Sequence, residues 1–368
     1  MSSSLHAMTD TTAQRIDPAT SKRPIFIVGC PRSGTTLLQL MLHAHADIAI
    51  PPENRFLLEL YDQRQRFGDL RDPANRRSLA RFIVSRRRSK VRDFGLDPKA
   101  VRRQIMRAAP TVGTAAATVF SAYAAQFGKR RWGDKRPSYI QRLDTIVRLF
   151  PDAQVIHIIR DGRDCVSSLK RMPWWRGGSM KAIWTWRNAM VNGERARRRL
   201  GADAYVEVRY EDLVRDPEAQ LRRLCGFLDE PFHEAMLQPH QIADIAVPQR
   251  KVWHTGTHAP VNDGAVHRWR QDLDHWELAL LEFTAARQLR RHGYELSQGR
   301  RPMPPIKHLV RFLRLHVRRK ARVLMRRLRD ARSRRQYRWP VAADIPACVQ
   351  PRPGSPVHVA ETGGRHDE

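Results

Sequence analysis

"PIFIVGCPRSGTTLLQLMLHAH", residues 24–45, joins three patterns in one segment. A short apolar run of strand length is followed by a loop that holds Gly29 and Gly34, and then by a stretch with one apolar face at helical period. Two glycines with four residues between them, placed between a strand and a helix, permit a tight turn whose free amides point at an anion. The segment therefore predicts a phosphate-binding loop on an α/β scaffold.

Two further strands are predicted along the chain. "QVIHII" (154–159) has the pattern of a buried strand and "YVEVRY" (205–210) is the third strand, and a helical pattern follows each. Residues 69–130 are helical by period, with breaks at Asp72-Pro73 and Asp97-Pro98. This alternation predicts an α/β fold in which a central parallel sheet is flanked by helices. The predicted partition is a disordered tail over 1–22, a catalytic domain over 23–298, a basic amphipathic helical extension over 299–340 and a disordered tail over 341–368.

The charge balance of the chain is strongly basic. Its 368 residues include 67 Lys and Arg against 37 Asp and Glu, a formal net charge of +30, which implies an anionic partner such as a polyphosphate, a nucleic acid or a membrane. The apolar runs are far shorter than a membrane span, and the polar start of the chain does not resemble a secretory signal. The cysteines are widely separated, which indicates reduced thiols and a cytoplasmic location. They are Cys30, Cys165, Cys225 and Cys348.

The predicted loop differs from that of nucleotide hydrolases at two points. Thr35 stands where those enzymes carry the lysine that reaches the terminal phosphates. The second apolar strand ends in Arg160, where they place a carboxylate that holds magnesium. Arg32 adds a cation inside the loop, and Thr36 adds a hydroxyl. The sequence therefore predicts an anion held directly by the protein, with no metal site.

These motifs resemble the phosphate-loop sulfotransferases that use 3′-phosphoadenylyl sulfate (PAPS), and most closely the tyrosylprotein and bacterial branch. "PRSGTTL" resembles their loop for the 5′-phosphosulfate, and "IRDGRDCVSSL" (159–169) resembles their motif for the 3′-phosphate. The resemblance implies a transferase that moves a sulfuryl group from PAPS to a hydroxyl. It also implies a donor site made of Pro31, Arg32, Ser33, Gly34, Thr35, Thr36, Arg160 and Ser168.

The same resemblance suggests the catalytic groups. Glu53 in "PPENRF" matches the base, and Lys135 in "WGDKRP" matches the lysine on the bridging oxygen, with Arg32 on the transferring group. The residues alone favour a simpler interpretation of Glu53, as a carboxylate at a helix N-terminus, and offer one for Lys135, as a solvated turn lysine. Asp134 is expected to cap the following helix. If Glu53 is not the base, His43 and His45 are the next candidates.

Three further segments complete the predicted donor site and its surroundings. Tyr210 is expected to pack against the nucleotide or to be a core aromatic, and Arg268 takes a basic position near the 3′-phosphate. Glu211 and Asp212 are expected to serve the turn after Tyr210. A serine of the family pattern falls near Trp253, where Thr255 or Thr257 is the possible substitute. The pair Trp174-Trp175 is interpreted either as a lid over the acceptor or as a hydrophobic plug.

The C-terminal region carries the densest charge. Residues 306–338 hold many arginines and one acid, with apolar residues spaced by three, four or seven, which predicts a basic amphipathic helix. It either lies on an anionic membrane, which would make the protein peripheral at the inner membrane face, or docks on the domain. Two other functions are compatible with the sequence: a phosphate-loop kinase or hydrolase, and a non-catalytic binder of anionic surfaces. No motif for specific nucleic-acid recognition accompanies the charge. The acceptor stays open among carbohydrate, lipid, phenol and tyrosine, and the oligomeric state is undetermined.

Overall fold

The central apolar run forms strand β1 (Ile25–Gly29), the middle strand of a five-stranded parallel sheet. The computed structural model describes residues 23–86, 90–243, 260–299 and 302–344. The other strands are β2 (Ile48–Ala49), β3 (Arg131–Lys135), β4 (Gln154–Ile159) and β5 (Tyr205–Arg209). Their order across the sheet is β2-β3-β1-β4-β5. The predicted α/β class with a parallel sheet is thus confirmed.

Helices connect the strands and cover both faces of the sheet. In chain order they are α1 (Thr35–His43), α2 (Phe56–Asp62), α3 (Pro73–Ser85), α4 (Pro98–Arg107), α5 (Val112–Ala125), α6 (Leu143–Leu149), α7 (Gly162–Lys170), α8 (Gly178–Leu200), α9 (Tyr210–Arg215), α10 (Pro217–Leu228), α11 (Trp269–Asp272), α12 (His275–Arg291) and α13 (Ile306–Gln336). Short 3₁₀ turns cover Arg64–Phe67, Val91–Phe94, Pro137–Gln141, Glu234–Leu237 and Pro239–Ile242. The predicted breaks at Asp72 and Asp97 are helix N-caps, since each carboxylate accepts a backbone N–H of the first turn.

The alternation of side chains along β1 explains its uniformly apolar sequence. Phe26 and Val28 point into one core cluster, whereas Ile25 and Ile27 point into another on the opposite face. All four side chains are fully buried. A strand covered on both faces needs apolar residues at every position, and this is why it could be recognised from sequence.

Strand β3 corrects the sequence prediction, which places Lys135 of "WGDKRP" (132–137) in a turn. Its polar residues are nevertheless buried, since the tertiary structure supplies their partners. Arg131 donates to Glu230 at 3.0 Å and also pairs with Gln154. Gly133 passes the neighbouring strand so closely that a Cβ would lie 2.8 Å from the carbonyl oxygen of Ile25. The strand forms because distant residues satisfy its charges.

The C-terminal helix is close to its predicted extent and docks on the domain. After it, the backbone of Val341 accepts from Gly113, and the Ala343 N–H donates to Leu149. Residues 341–344, assigned above to a tail, therefore pack on the domain; 345–368 and 1–22 lie outside the described residues. Within the described parts of the chain, no helix combines the length and apolar character needed to cross a bilayer.

Candidate active site

The site lies at the carboxyl edge of the sheet, where β1, β3, β4 and β5 all end. Parallel strands bring the residues that follow them to one edge, and ligands of open α/β sheets bind there. A cleft of about 870 Å³ occupies this edge. Among its lining residues are Pro31, Arg32, Gly34, Thr35, Thr36, Glu53, Lys135, Arg160, Ser168, Tyr210 and Arg268. Every predicted site residue except Ser33 therefore lines one cleft.

The phosphate loop turns sharply between β1 and α1. Gly34 has φ +95° and Arg32 has φ +74°, so both occupy the left-handed region. A Cβ on Gly34 would lie 2.4 Å from the Tyr210 ring. Both this close approach and the positive φ therefore require glycine at position 34. Ser33 is different, because its side chain is fully buried away from the cleft, and its hydroxyl has no hydrogen-bond partner among the described residues. Ser33 can thus contribute to the cleft through its backbone alone.

Cations from the two predicted phosphate motifs meet in the cleft. Arg32 Nε donates to Ser168 Oγ at 3.0 Å, and Arg160 Nη1 donates to the Arg32 carbonyl at 3.1 Å. Burial lowers the pKa of Arg32, and repulsion from Arg160 and Arg171 lowers it further. Asp164, 3.8 Å from Arg160, and Asp272, paired with Arg171, balance only part of this charge, so a polyanion in the cleft would be stabilised by the remaining excess of cations.

Arg160 is held in place from two sides. Its guanidinium lies 4.6 Å from the centre of the Tyr210 ring and also donates to the Ala265 carbonyl. Its Nε is buried and meets no acceptor among the described residues. Tyr210 begins α9 directly after β5, so it serves both as the platform under Arg160 and as the neighbour of the loop glycine. A buried guanidinium donor without an acceptor fits a site for an anion.

Sequence reasoning missed the residues that hold the segment around Arg268. Asp164 accepts the backbone N–H groups of His267 and Trp269, at 2.9 and 3.0 Å. Asp164 stands one turn after Arg160 in "IRDGRD", and this spacing is the signal that could have pointed to it. The two residues that flank Arg268 in the chain are thus tied to α7.

Asp272 belongs to the same connection between α7 and this segment. It accepts from Ser167 Oγ at 2.6 Å and forms an ion pair with Arg171. The N-cap of α12 is Asp274, whose reciprocal capping box with Glu277 begins the helix.

Glu53, Lys135 and Thr36 form the other end of the cleft. Lys135 Nζ lies 3.5 Å from Glu53 Oε2 and 3.4 Å from Thr36 Oγ1. The Lys135 side chain is 4% exposed, whereas that of Glu53 is 32% exposed. The carboxylate therefore remains open to a molecule in the cleft while the lysine is held at its floor. The interpretation of Lys135 as a solvated turn lysine is wrong, because the residue is buried at the end of β3, whereas Glu53 does lie just before the N-terminus of α2.

Three buried contacts position the loop that carries Glu53. Gln39 of α1 donates to the Pro51 carbonyl at 2.7 Å, and His43 Nδ1 accepts the Ile50 N–H at 3.0 Å. On the other side, Asn54 donates to Asp134 Oδ1 at 2.8 Å. These contacts bracket Glu53 on both sides in the chain, so its backbone position is determined by groups that are themselves buried.

Asp134 does not cap a helix, contrary to the prediction. Its second oxygen accepts from the Tyr139 hydroxyl at 2.6 Å, and the carboxyl group is completely buried. Burial raises the pKa of Asp134 to about 6, and the hydrogen bonds from Tyr139 and Asn54 only partly oppose this rise. Its role in the structure is to join β3 to the segment that carries Glu53.

The histidines proposed as alternative bases are structural. Burial, assisted by Lys129, lowers the pKa of His43 to about 4, and its Nδ1 is already used as an acceptor. His45 accepts the Asp47 N–H at 3.0 Å and contacts the Pro231 carbonyl at 2.8 Å. Neither lines the cleft. They carry no catalytic role in this geometry.

Other predictions around the cleft have mixed outcomes. Glu211 lies in the first turn of α9, as predicted, and also accepts the Asp161 N–H at 2.9 Å and the Tyr294 hydroxyl at 2.8 Å. Trp174 lines the cleft and is 42% exposed, so it is placed at the entrance rather than in the core. The segment with Trp253, Thr255 and Thr257 lies outside the described residues.

The fold and its loop define an α/β phosphate-loop protein with a cation-lined cleft at the carboxyl edge of its sheet. The family comparison gives the particular class: residues 24–234 match the model described as the sulfotransferase family, and the chain belongs to that family. The match begins at β1 and extends beyond β5, so it includes every strand of the sheet.

Curated relatives agree with this assignment. The chain is 27% identical to the protein-tyrosine sulfotransferase of Drosophila melanogaster over 256 residues, 67% of this chain but 46% of the fly protein. It is 28% identical to protein-tyrosine sulfotransferase 1 of Danio rerio over 281 residues, 73% of this chain and 72% of the relative. Among solved structures, the sulfotransferase domain of the Synechococcus PCC 7002 olefin synthase aligns with TM-score 0.55 and 28% identity, over 77% of this chain and 100% of that domain.

Proposed function

We propose that the protein transfers a sulfuryl group from PAPS to a hydroxyl group of an acceptor. The observation that carries the proposal is the convergence of two groups of residues in one cleft. Arg32, Arg160 and Ser168 are gathered at one end, and the Glu53–Lys135 pair lies at the other, 3.5 Å between charged atoms. A sulfuryl donor with two phosphate groups needs cations along its length and a base beside its reacting end.

In this proposal the loop and the 3′-phosphate motif bind the donor. Pro31, Arg32, Ser33, Gly34, Thr35 and Thr36 surround the 5′-phosphosulfate, with Ser33 acting through its amide. Arg160 and Ser168 hold the 3′-phosphate, the Tyr210 ring supports Arg160, and Arg268 adds a cation from the segment held by Asp164. The chemistry of these residues fits such a ligand, because arginines, hydroxyls and loop amides all donate hydrogen bonds to phosphate oxygens.

The chemical step uses the other end of the cleft. Glu53 accepts the proton of the acceptor hydroxyl as its oxygen forms a bond to sulfur. The bond from sulfur to the bridging oxygen breaks in line, and Lys135 offsets the negative charge that develops on that oxygen. Arg32, from the loop that joins the two ends of the cleft, would leave Ser168 and stabilise the transferring group. The products are a sulfate ester and 3′-phosphoadenosine 5′-phosphate, with the proton on Glu53.

The acceptor is proposed only as a hydroxyl compound. The relatives named protein-tyrosine sulfotransferases favour a tyrosine or another phenol, and the exposed Trp174 at the entrance would suit an aromatic or sugar ring.

Ligand-dependent melting tests the proposal directly. We expect 3′-phosphoadenosine 5′-phosphate to raise the melting temperature without magnesium, and to do so more than adenosine 5′-phosphate. Incubation with PAPS and a cell extract should yield products that gain one sulfate group by mass spectrometry. Stabilisation by ATP and magnesium alone, with none by the bisphosphate, would instead support a kinase or hydrolase.

A further inference from the structure

Helix α13 (Ile306–Gln336) presents two different faces to its surroundings. At 1.5 Å per residue it is about 46 Å long. It contains thirteen Lys and Arg residues and a single acid, Asp330. So much charge of one sign on one helix calls for an anionic partner unless the domain supplies it. The contacts of the helix show which of its residues the domain uses.

One face of α13 docks on the domain along most of its length. Phe312 is 2% exposed, the His308 ring stacks on Trp276 at 4.1 Å between centres, and the Arg319 guanidinium lies 4.7 Å from the centre of the Trp184 ring. Near its end, Asp330 pairs with Arg64 of the domain at 3.5 Å. Contacts at both ends fix the rotation of the helix about its axis, and therefore fix which residues remain outside.

The face that remains outside is apolar. Of the nine large hydrophobic residues exposed among the described residues, seven lie on this helix. Six of them are between 40% and 76% exposed. Because successive residues are rotated by about 100° around the helix axis, these six side chains fall within an arc of about 60°. We call these six the outer stripe: Ile306, Val310, Leu313, Val317, Leu324 and Leu328. The docked residue Phe312 lies outside this arc, so the domain does not cover the outer stripe.

Exposed cations border the outer stripe on both sides. At 100° per residue around the helix axis, one edge of the outer stripe is bordered by Lys307, Arg314 and Arg318. The other edge is bordered by Lys320 and Arg327. Long basic side chains can lie along an apolar surface while their charges reach outward to a layer of negative charge. An apolar stripe between two rows of cations is the pattern of a helix that lies in the interface of an anionic bilayer.

We propose that the outer stripe of α13 binds the surface of an anionic lipid bilayer while the opposite face stays docked on the domain. A second copy of the chain fits this surface poorly, because two such stripes in contact would bring four rows of cations together. A nucleic acid would satisfy the cations but would leave the stripe in water. A bilayer with anionic headgroups satisfies both the apolar and the basic residues at once.

Co-sedimentation of the full chain with vesicles tests the proposal. We expect pelleting with phosphatidylcholine vesicles that contain phosphatidylserine, weak pelleting with phosphatidylcholine alone, and release by high salt. The triple variant Leu313→Gln/Leu324→Gln/Leu328→Gln keeps the charge and the helix propensity but removes apolar contact, and should bind at least about tenfold more weakly. Because these side chains are exposed, its melting temperature should match that of the wild type.

A charge-matched pair of variants separates the outer stripe from the overall charge. Arg314→Glu/Arg318→Glu should weaken binding by about tenfold or more. Arg77→Glu/Arg81→Glu changes the net charge equally on an exposed face of α3 and should change binding much less. Equal losses in the two pairs, or wild-type binding by the triple variant, would overturn the proposal. A dimer or a nucleic-acid complex lost in the triple variant, with vesicle binding unchanged, would also overturn it.

Discussion

Asn54 and Asp134 are eighty positions apart in the chain, yet the Asn54 amide donates a 2.8 Å hydrogen bond to the buried Asp134 carboxylate. Their neighbours in sequence, Glu53 and Lys135, form the 3.5 Å ion pair at the cleft. Two adjacent cross-links thus join the segment after β2 to the end of β3. The inner pair is buried and fixes the spacing, while the outer pair faces the cleft.

Replacement of Glu53 by glutamine tests the proposed base. Glu53→Gln retains the size of the side chain but cannot accept the proton, so turnover should fall by roughly 100-fold or more. Affinity for 3′-phosphoadenosine 5′-phosphate should stay close to that of the wild type. Glu59→Gln is the matched control, because Glu59 pairs with Arg86 at 3.3 Å outside the cleft. Near-normal turnover in Glu53→Gln would remove the base role from this residue.

Removal of the Lys135 charge should also slow the reaction. Lys135→Met keeps the aliphatic stem and should lower turnover by roughly 100-fold, since the bridging oxygen loses its counter-charge. Combined with Glu53→Gln, the losses should be less than additive because the two groups act in one step. Lys129→Met is the control: this lysine contacts the His43 carbonyl outside the cleft, so its loss should affect stability rather than turnover. Strict additivity of the two cleft substitutions would contradict a shared step.

Arg160 should distinguish ligands by their 3′-phosphate. In Arg160→Ala we expect affinity for 3′-phosphoadenosine 5′-phosphate to fall roughly tenfold or more, with little change for adenosine 5′-phosphate. Titration calorimetry with both nucleotides measures the difference. Arg222→Ala is the control, because the Arg222 guanidinium also lies over an aromatic ring, 4.2 Å from the centre of Phe232. This variant should leave the affinities for both nucleotides unchanged. Equal weakening of the two nucleotides by Arg160→Ala would place this arginine away from the 3′-phosphate.

Gly34→Ala should be far more damaging than an alanine at another left-handed glycine. Gly128→Ala, with φ +64° and no atom near the new Cβ, isolates the backbone cost, about 1 kcal/mol. Gly34→Ala adds a collision with the Tyr210 ring, so the total should reach about 3 kcal/mol, together with loss of bisphosphate binding. Chemical denaturation of both variants gives the comparison. Similar decreases in the free energy of unfolding of the two variants would mean that the Tyr210 ring moves aside at little cost.

The buried carboxyl of Asp134 should make stability depend on pH. Because its pKa is raised from the usual value near 3.8 to about 6, the folded state holds a proton that the unfolded state has lost between these values. The stability contribution of Asp134 is therefore fully present below about pH 4 and is lost as pH rises through about 6. Asp134→Asn has no carboxyl group to titrate and should not lose stability in this way. The melting temperature of the variant minus that of the wild type should therefore increase from pH 4 to pH 7. A constant difference would contradict the raised pKa.

Features made by adjacent residues could be predicted from the sequence. Three such features depend on local chemistry: the mostly apolar, fully buried strands β1 and β4, the Asp-Pro helix starts at Asp72 and Asp97, and the glycine spacing of the phosphate loop. The basic helix at 306–336 was recognisable from its period for the same reason. Residues that follow strand ends, such as Arg160 and Tyr210, could also be placed at one edge, since parallel strands bring their carboxyl ends together.

Only the tertiary structure decided what depends on partners far away in the chain. Strand β3 exists because Arg131 and Asp134 find partners on other elements, and no local pattern in "RWGDK" shows this. His43 is excluded as a base because its acceptor nitrogen, Nδ1, already accepts a backbone N–H. The sequence determined that 306–336 has an apolar stripe, but the docking of Phe312 on the domain determined that this stripe faces outward. Periodicity specifies which side chains share a face, whereas packing against other elements specifies where that face points.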